Sequence, residues 1–127
     1  GYYYAPTILA DVPLSSPVLT EETFGPVLPI VPFYSEEEAL ALVNYVPFGL
    51  GACVFGDPKK AKPFAQQIET GMVSVNATTL PNYSFPSIPW TGWKKSGPGV
   101  SHGEAGLLNL CNVQIQTNYT KWPIPWS

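Results

Sequence analysis

With 127 residues, 45% of them hydrophobic and 12% charged, the chain fits one folded unit with a modest core and is too short for two ordinary domains. Its net charge is −3 and its 6 basic residues are all lysine, so no basic stripe exists to neutralise phosphates, which argues against nucleic-acid binding. The 15 prolines and 13% aromatic content put much of the path in loops and extended segments.

Residues 2–9 are aromatic and β-branched with Pro6 among them, the pattern of an extended edge segment. A turn-rich connection over 11–17 leads to Glu21-Glu22-Thr23-Phe24-Gly25-Pro26-Val27, where paired carboxylates, a ring and a Gly-Pro turn precede an apolar run. Two carboxylates can accept hydrogen bonds from a diol such as a ribose, one ring can cover a flat heterocycle, and a turn at the mouth of a strand is where α/β proteins bind ligands. The plainer alternative makes Glu21 and Glu22 a solvated helix turn and Phe24 a core plug. Residues 27–33 are apolar enough for a buried strand, yet Pro29 and Pro32 each remove an N–H from any ladder, which places that strand at an edge or gives it bulges.

Ser35 followed by Glu38 is a capping-box pattern, and Ala39, Leu40, Leu42 and Val43 give an apolar stripe, so a helix is expected over 36–45 with Pro47 stopping it. Residues 50–55 read as a fully buried strand. Asp57 and Pro58 then supply an N-cap and a first helical position for a helix over 58–69, with Pro63 inside it forcing a kink or a later start. Gly71 stands where a left-handed residue closes a helix, and 72–76 is a third strand-like run. The order strand, helix, strand, helix, strand from 27 to 76 predicts an α/β fold, half of a doubly wound parallel sheet (βαβαβ) with right-handed crossovers. The Pro-rich loop 80–89 is long enough for a functional role. A short helix over 103–110 and a half-exposed alternating strand over 113–118 follow, then an aromatic, Pro-rich tail over 119–126.

Cys53 and Cys111 lack the spacing of a metal or redox motif and read as two buried thiols in a reducing, cytoplasmic setting. No metal site is indicated. No run of about 18 apolar residues appears, which argues against a membrane span, and the first residues show no leader pattern. His102 is the single histidine; with no nucleophile motif beside it, a surface or capping role is expected. Lys94 and Lys95 read as a solvated turn, because no glycine-rich phosphate loop opens a helix there.

Several stretches together resemble the aldehyde dehydrogenase superfamily: Gly1-Tyr2-Tyr3-Tyr4-Ala5-Pro6-Thr7-Ile8-Leu9 with Asp11-Val12, the EETFGPV stretch, and Glu37-Glu38-Ala39-Leu40 leading to Asn44. The likeness continues through Phe48-Gly49-Leu50-Gly51-Ala52-Cys53-Val54-Phe55, Gly71-Met72-Val73-Ser74-Val75-Asn76 and Pro89-Trp90-Thr91-Gly92-Trp93-Lys94-Lys95-Ser96-Gly97. It is the shared order and spacing of these pieces that gives the resemblance its weight.

Such a resemblance implies the last quarter or so of an NAD(P)-dependent enzyme that oxidises an aldehyde to a carboxylate through a thioester. Residues 1–111 would then belong to the catalytic domain and 112–127 to an oligomerisation strand and tail. The family's nucleophilic cysteine and general-base glutamate lie in motifs this stretch does not contain, so no catalytic residue is assigned, and Cys53 and Cys111 are read as packing. Binding roles carry over instead. Glu22 matches the carboxylate that holds the nicotinamide ribose of NAD or NADP, and Phe24 matches the ring beside the nicotinamide. Trp90 stands where the family usually has phenylalanine at the aldehyde tunnel, with Phe85 near a second aromatic position. Here Pro-Trp-Thr-Gly replaces the usual Pro-Phe-Gly-Gly, so a bulkier indole meets the substrate. The expected partners are the remainder of the polypeptide or other subunits of a homo-oligomer. The competing reading is a non-catalytic association module in which 113–118 adds a strand to a neighbour's sheet, or a terminal strand that closes the chain's own sheet.

Overall fold

The local signals place the helices first. In the computed structural model, which describes residues 1–118, α1 (Glu36–Tyr45) begins where the serine predicts: Ser35 Oγ accepts from the Glu38 N–H at 3.1 Å. The returning half of the capping box is displaced by one residue, because the Glu38 carboxylate accepts from the Tyr34 N–H at 2.7 Å. Val46 leaves the helix in an extended conformation ahead of Pro47. The Asp57 carboxylate accepts from the Lys59 N–H at 2.9 Å and opens α2 (Pro58–Ala65). That helix stops two residues after Pro63, short of the expected 69. Two shorter helices, α3 (Leu80–Tyr83) within the Pro-rich loop and α4 (Gly103–Leu108), complete the set.

The strands are β1 (Thr7–Leu9), β2 (Val27–Pro29), β3 (Phe48–Gly49), β4 (Gly51–Val54), β5 (Met72–Val75), β6 (Trp90–Thr91), β7 (Trp93–Lys94) and β8 (Val100–Ser101). Among the described residues they form four two-stranded sheets: β1–β2 and β4–β5 parallel, β3–β7 and β6–β8 antiparallel. The chain is therefore α/β with parallel strand pairs, and β4–α2–β5 is a complete βαβ unit. One continuous βαβαβ sheet does not form among the described residues. Proline at 29 and 32 limits β2 to three ladder residues, and those residues pair with β1 in the register Thr7↔Val27 rather than with β4.

Ala61 and Ala65, one turn apart on α2, lie buried against β4 and β5 with Ile68 and Met72; Val12 is the other buried apolar residue among those described. No described side chain is completely enclosed. Two expectations fail here for one reason. Residues 51–54 are not fully buried, and Cys53 and Cys111 are exposed, because nothing within the described residues covers the outer side of β4 or the end of α4. Likewise α1 turns its apolar stripe toward an open groove and buries none of its residues. The predicted strand at 113–118 has no ladder, with Val113 and Ile115 exposed, and the tail expected over 119–126 lies outside the described residues.

Gly71 differs from its expected role. Its φ is not in the left-handed region, and what it provides is absence of bulk, since a Cβ there would run into the Thr91 carbonyl. The left-handed residue at this layer is Asn76, φ 55°, at the end of β5.

Candidate functional site

No helix turn forms at Glu21 and Glu22. A short 3-10 turn over Pro17–Leu19 ends before them, and the chain runs through the Gly25-Pro26 bend into β2. Glu22 thereby reaches a groove of about 360 Å³ whose walls include Gly49, Gly51, Glu69, Thr70 and Ser96. Glu22 is exposed on the wall of that groove, and the buried Thr70 hydroxyl within it has no hydrogen-bond partner among the described residues. Free buried polar atoms are uncommon enough that a hydroxyl-bearing ligand is a natural complement. Glycine at 49 and 51 keeps the groove open: a Cβ on Gly49 would sit 2.7 Å from the Glu69 carbonyl oxygen, and one on Gly51 3.1 Å from the Thr79 side chain.

The rim of the groove is rigidly braced. Asn44, at the end of α1, donates through Nδ2 to the Gln67 carbonyl at 3.0 Å and accepts at Oδ1 from the Glu69 N–H at 2.9 Å. Lys94 corrects the expectation of a solvated turn. Its Nζ donates to the Asn44 carbonyl at 2.7 Å and the Val46 carbonyl at 3.2 Å, and it pairs with the Glu69 carboxylate at 3.1 Å. A cation there meets the negative end of α1. Ser96 Oγ accepts from the Gly49 N–H at 3.1 Å, tying β3 to the turn after β7.

The other three expected site residues are not gathered at this groove. Phe24 stands 95% exposed and is not among its walls. Phe85 is exposed in the loop after α3. Trp90 is half-buried in β6 opposite Ser101 of β8, and its ring lies 6.3 Å from the His102 ring at a 47° tilt. His102 is thus neither a surface residue nor a side-chain cap. It sits half-buried at the N-cap position of α4 with φ 67° and makes no capping hydrogen bond. Sequence reasoning passed over Thr70, gave Asn44 no role and read Lys94 only as a solvated turn; the one local hint was the Gly-Leu-Gly at 49–51, a spacing that favours close approach of the backbone.

The groove lies at the amino ends of β4 and β5, whereas open α/β sheets ordinarily take ligands beyond the carboxyl ends of their strands. Among the described residues no cation lines the groove, and Lys94, two residues before the groove wall Ser96, is engaged by Glu69 and two carbonyls.

The described residues thus form an α/β segment built on parallel strand pairs, with a groove bearing Glu22 at the amino ends of β4 and β5. Residues 1–115 match the aldehyde dehydrogenase family, and the chain belongs to that family. Aminoaldehyde dehydrogenase 2 of Solanum lycopersicum is 40% identical over 128 residues, covering 100% of this chain and 25% of that protein. The chloroplastic betaine aldehyde dehydrogenase of Amaranthus hypochondriacus is 40% identical over 99% of the chain and 25% of its own length. Among solved structures, a point mutant of betaine aldehyde dehydrogenase from Staphylococcus aureus in complex with NAD+ superposes with a TM-score of 0.85 at 31% identity, covering 98% of this chain and 25% of that one. A mutant of aldehyde dehydrogenase C from Pseudomonas syringae complexed with NAD+ and octanal gives 0.77 at 34% identity over 86% and 22%. The chain therefore spans about a quarter of the length of the relatives it matches.

Proposed function

We propose that these residues form the part of an NAD(P)-dependent aldehyde dehydrogenase that closes over the nicotinamide end of the cofactor and flanks the path of the aldehyde. The nucleophilic cysteine and general-base glutamate would come from polypeptide outside them. The observation that carries the reading is the buried, unpartnered Thr70 hydroxyl in a groove walled by glycines and bordered by the exposed Glu22 carboxylate, on a chain of this family. A carboxylate that accepts from both hydroxyls of a ribose fixes the attached ring, and a ring held at the correct angle accepts hydride from a thiohemiacetal. The cofactor supplies the hydride acceptor. Glu22 orients its ribose, Phe24 walls the nicotinamide, and Trp90 with Phe85 narrows the aldehyde's approach. The overall conversion is aldehyde, NAD(P)+ and water to carboxylate, NAD(P)H and two protons.

In this reading residues 1–111 are catalytic-domain structure and 112–127 an oligomerisation strand and tail in a cytoplasmic homo-oligomer. The exposed, ladder-free Val113 and Ile115 also favour a second reading, a non-catalytic association module. Assay separates the two. The purified chain mixed with NAD+ and a panel of aldehydes should make no NADH. A chimera that joins the upstream part of the Solanum lycopersicum relative to this chain should make it steadily. NADH from the chain alone, or a folded chimera without activity, would refute the enzymatic reading.

A further inference from the structure

The imidazole beside Trp90 hangs from a backbone that resists it. β6 and β8 pair with Trp90 opposite Ser101 and Thr91 opposite Val100, and residues directly opposite in an antiparallel pair share a face. A regular strand would therefore turn residue 102 to the other face, away from the indole. Instead His102 takes φ 67° and ψ 154°, a combination found almost only in glycine, and Gly103 follows at φ 61°. With the alternation broken, the imidazole centroid stands 6.3 Å from the Trp90 ring centroid at a 47° tilt, within the range over which aromatic pairs attract.

The junction has little slack. The His102 carbonyl accepts from the Gly106 N–H at 2.9 Å, and a Cβ on Gly106 would fall 2.6 Å from the Ser101 carbonyl carbon. On the other side, a Cβ on Gly103 would fall 3.0 Å from the Ser87 carbonyl oxygen, in the loop that joins Phe85 to Trp90. α4, β8 and that loop thus hold the backbone at 102 in its strained conformation. Glycine there would remove the strain and the ring together, so backbone stability alone favours glycine. What histidine adds is the ring against the indole.

We infer that His102 is a positioning residue for the aldehyde path: its imidazole backs the Trp90 indole and holds it at one angle, so that the indole sorts aldehydes by bulk. The inference rests on the enzymatic reading above for the aldehyde, and on the ring contact for the positioning. An unbacked indole on a two-residue strand can turn about its side-chain bonds and admit a wider substrate; a backed one must first displace the imidazole.

The contact is tested first in the purified chain. The NMR resonances of the His102 ring protons should move in Trp90→Leu and stay in place in Trp93→Leu, and His102→Gly should melt no lower than the parent. His102 resonances that ignore Trp90→Leu overturn the inference. The consequence is read in the chimera with the upstream part of the Solanum lycopersicum relative, using propanal and phenylacetaldehyde as probes. His102→Gly and His102→Ala should each lower the ratio of kcat/KM for propanal over phenylacetaldehyde severalfold, and His102→Phe, which keeps a flat ring on the same strained backbone, should restore most of it. In a Trp90→Ala background His102→Gly should change that ratio no further, since a positioning residue acts only through the group it positions. An equal loss on both aldehydes, or a full effect without the indole, reduces His102 to packing and overturns the inference while NADH production keeps the enzymatic reading intact. A folded chimera that makes no NADH refutes that reading, and the role of His102 on an aldehyde falls with it even where the NMR contact is present. If the chimera does not fold, the response of His102 to Trp90→Leu decides for or against the positioning.

Discussion

Asn76 and Gly56 hold each other at the ends of the β4–β5 pair. The Gly56 N–H donates to Asn76 Oδ1 at 2.8 Å, and Asn76 Nδ2 donates back to the Gly56 carbonyl at 2.9 Å. A side-chain amide thus extends a backbone ladder by one step, at a residue whose own φ of 55° is one that asparagine tolerates better than most.

Replacing that amide separates its two contributions. Asn76→Ala should lower the stability of the purified chain by about 1 to 2 kcal/mol, through two lost hydrogen bonds and a methyl forced into the left-handed region. Asn76→Gly, which loses the bonds but not the backbone freedom, should cost less in the same urea titration. Equal losses would mean that the backbone conformation contributes nothing.

At Gly71 the constraint is space and not backbone angle. Gly71→Ala and Gly71→Asn should therefore destabilise alike, by about 2 to 3 kcal/mol, because any Cβ overlaps the Thr91 carbonyl. At Gly97, where φ is 87° and no atom stands near a Cβ, asparagine should be tolerated better than alanine. Thermal unfolding of the four variants checks both patterns, and rescue of position 71 by asparagine would contradict the structure.

The Glu22 groove gives a prediction of opposite sign in two backgrounds. In the purified chain Thr70→Val removes a buried unpaired hydroxyl at nearly constant volume and should stabilise by about 1 kcal/mol. In an active chimera the same substitution, and Glu22→Gln, should raise the KM for NAD+ severalfold. Trp90→Phe should instead change kcat/KM among aldehydes of different bulk while leaving the KM for NAD+ alone. Identical cofactor and aldehyde effects for all three would show that these residues act only through folding.

Acid should loosen the start of α1. Hydrogen bonds from Glu37's own backbone N–H and then from the Ser35 hydroxyl hold its carboxyl below the ordinary value of 4.5, with desolvation opposing weakly. A carboxylate lowered on folding contributes stability above its unfolded value and loses that contribution as pH falls through the lowered one. The helical signal should therefore decline below pH 4.5, and Ser35→Ala should move the Glu37 titration upward toward 4.5. An unchanged NMR titration of Glu37 in that variant would rule out the Ser35 contact.

The helix starts were legible because each depends on residues within four positions: Ser35 and Glu38 for α1, Asp57 and Pro58 for α2. The βαβ unit was legible for a similar reason, since its crossover is short and its strands carry their own pattern. Membership of the family was legible in the order of the motifs. Partner choice among strands was not. Whether β2 pairs with β4 or with β1 depends on which edges meet in space, and an apolar run such as 27–33 looks the same in either arrangement.

The sequence alone determined what each segment can be, because caps, turns and period are local physics, and it pointed to Glu22 as an acceptor through chemistry visible in its neighbours. Only the tertiary structure decided what lies beside what: Lys94 on the end of α1, Thr70 stranded in the groove with Glu22, and the outer edge of β4 left open. Those relations join residues dozens of positions apart, and distance along a chain carries no information about which distant groups will meet.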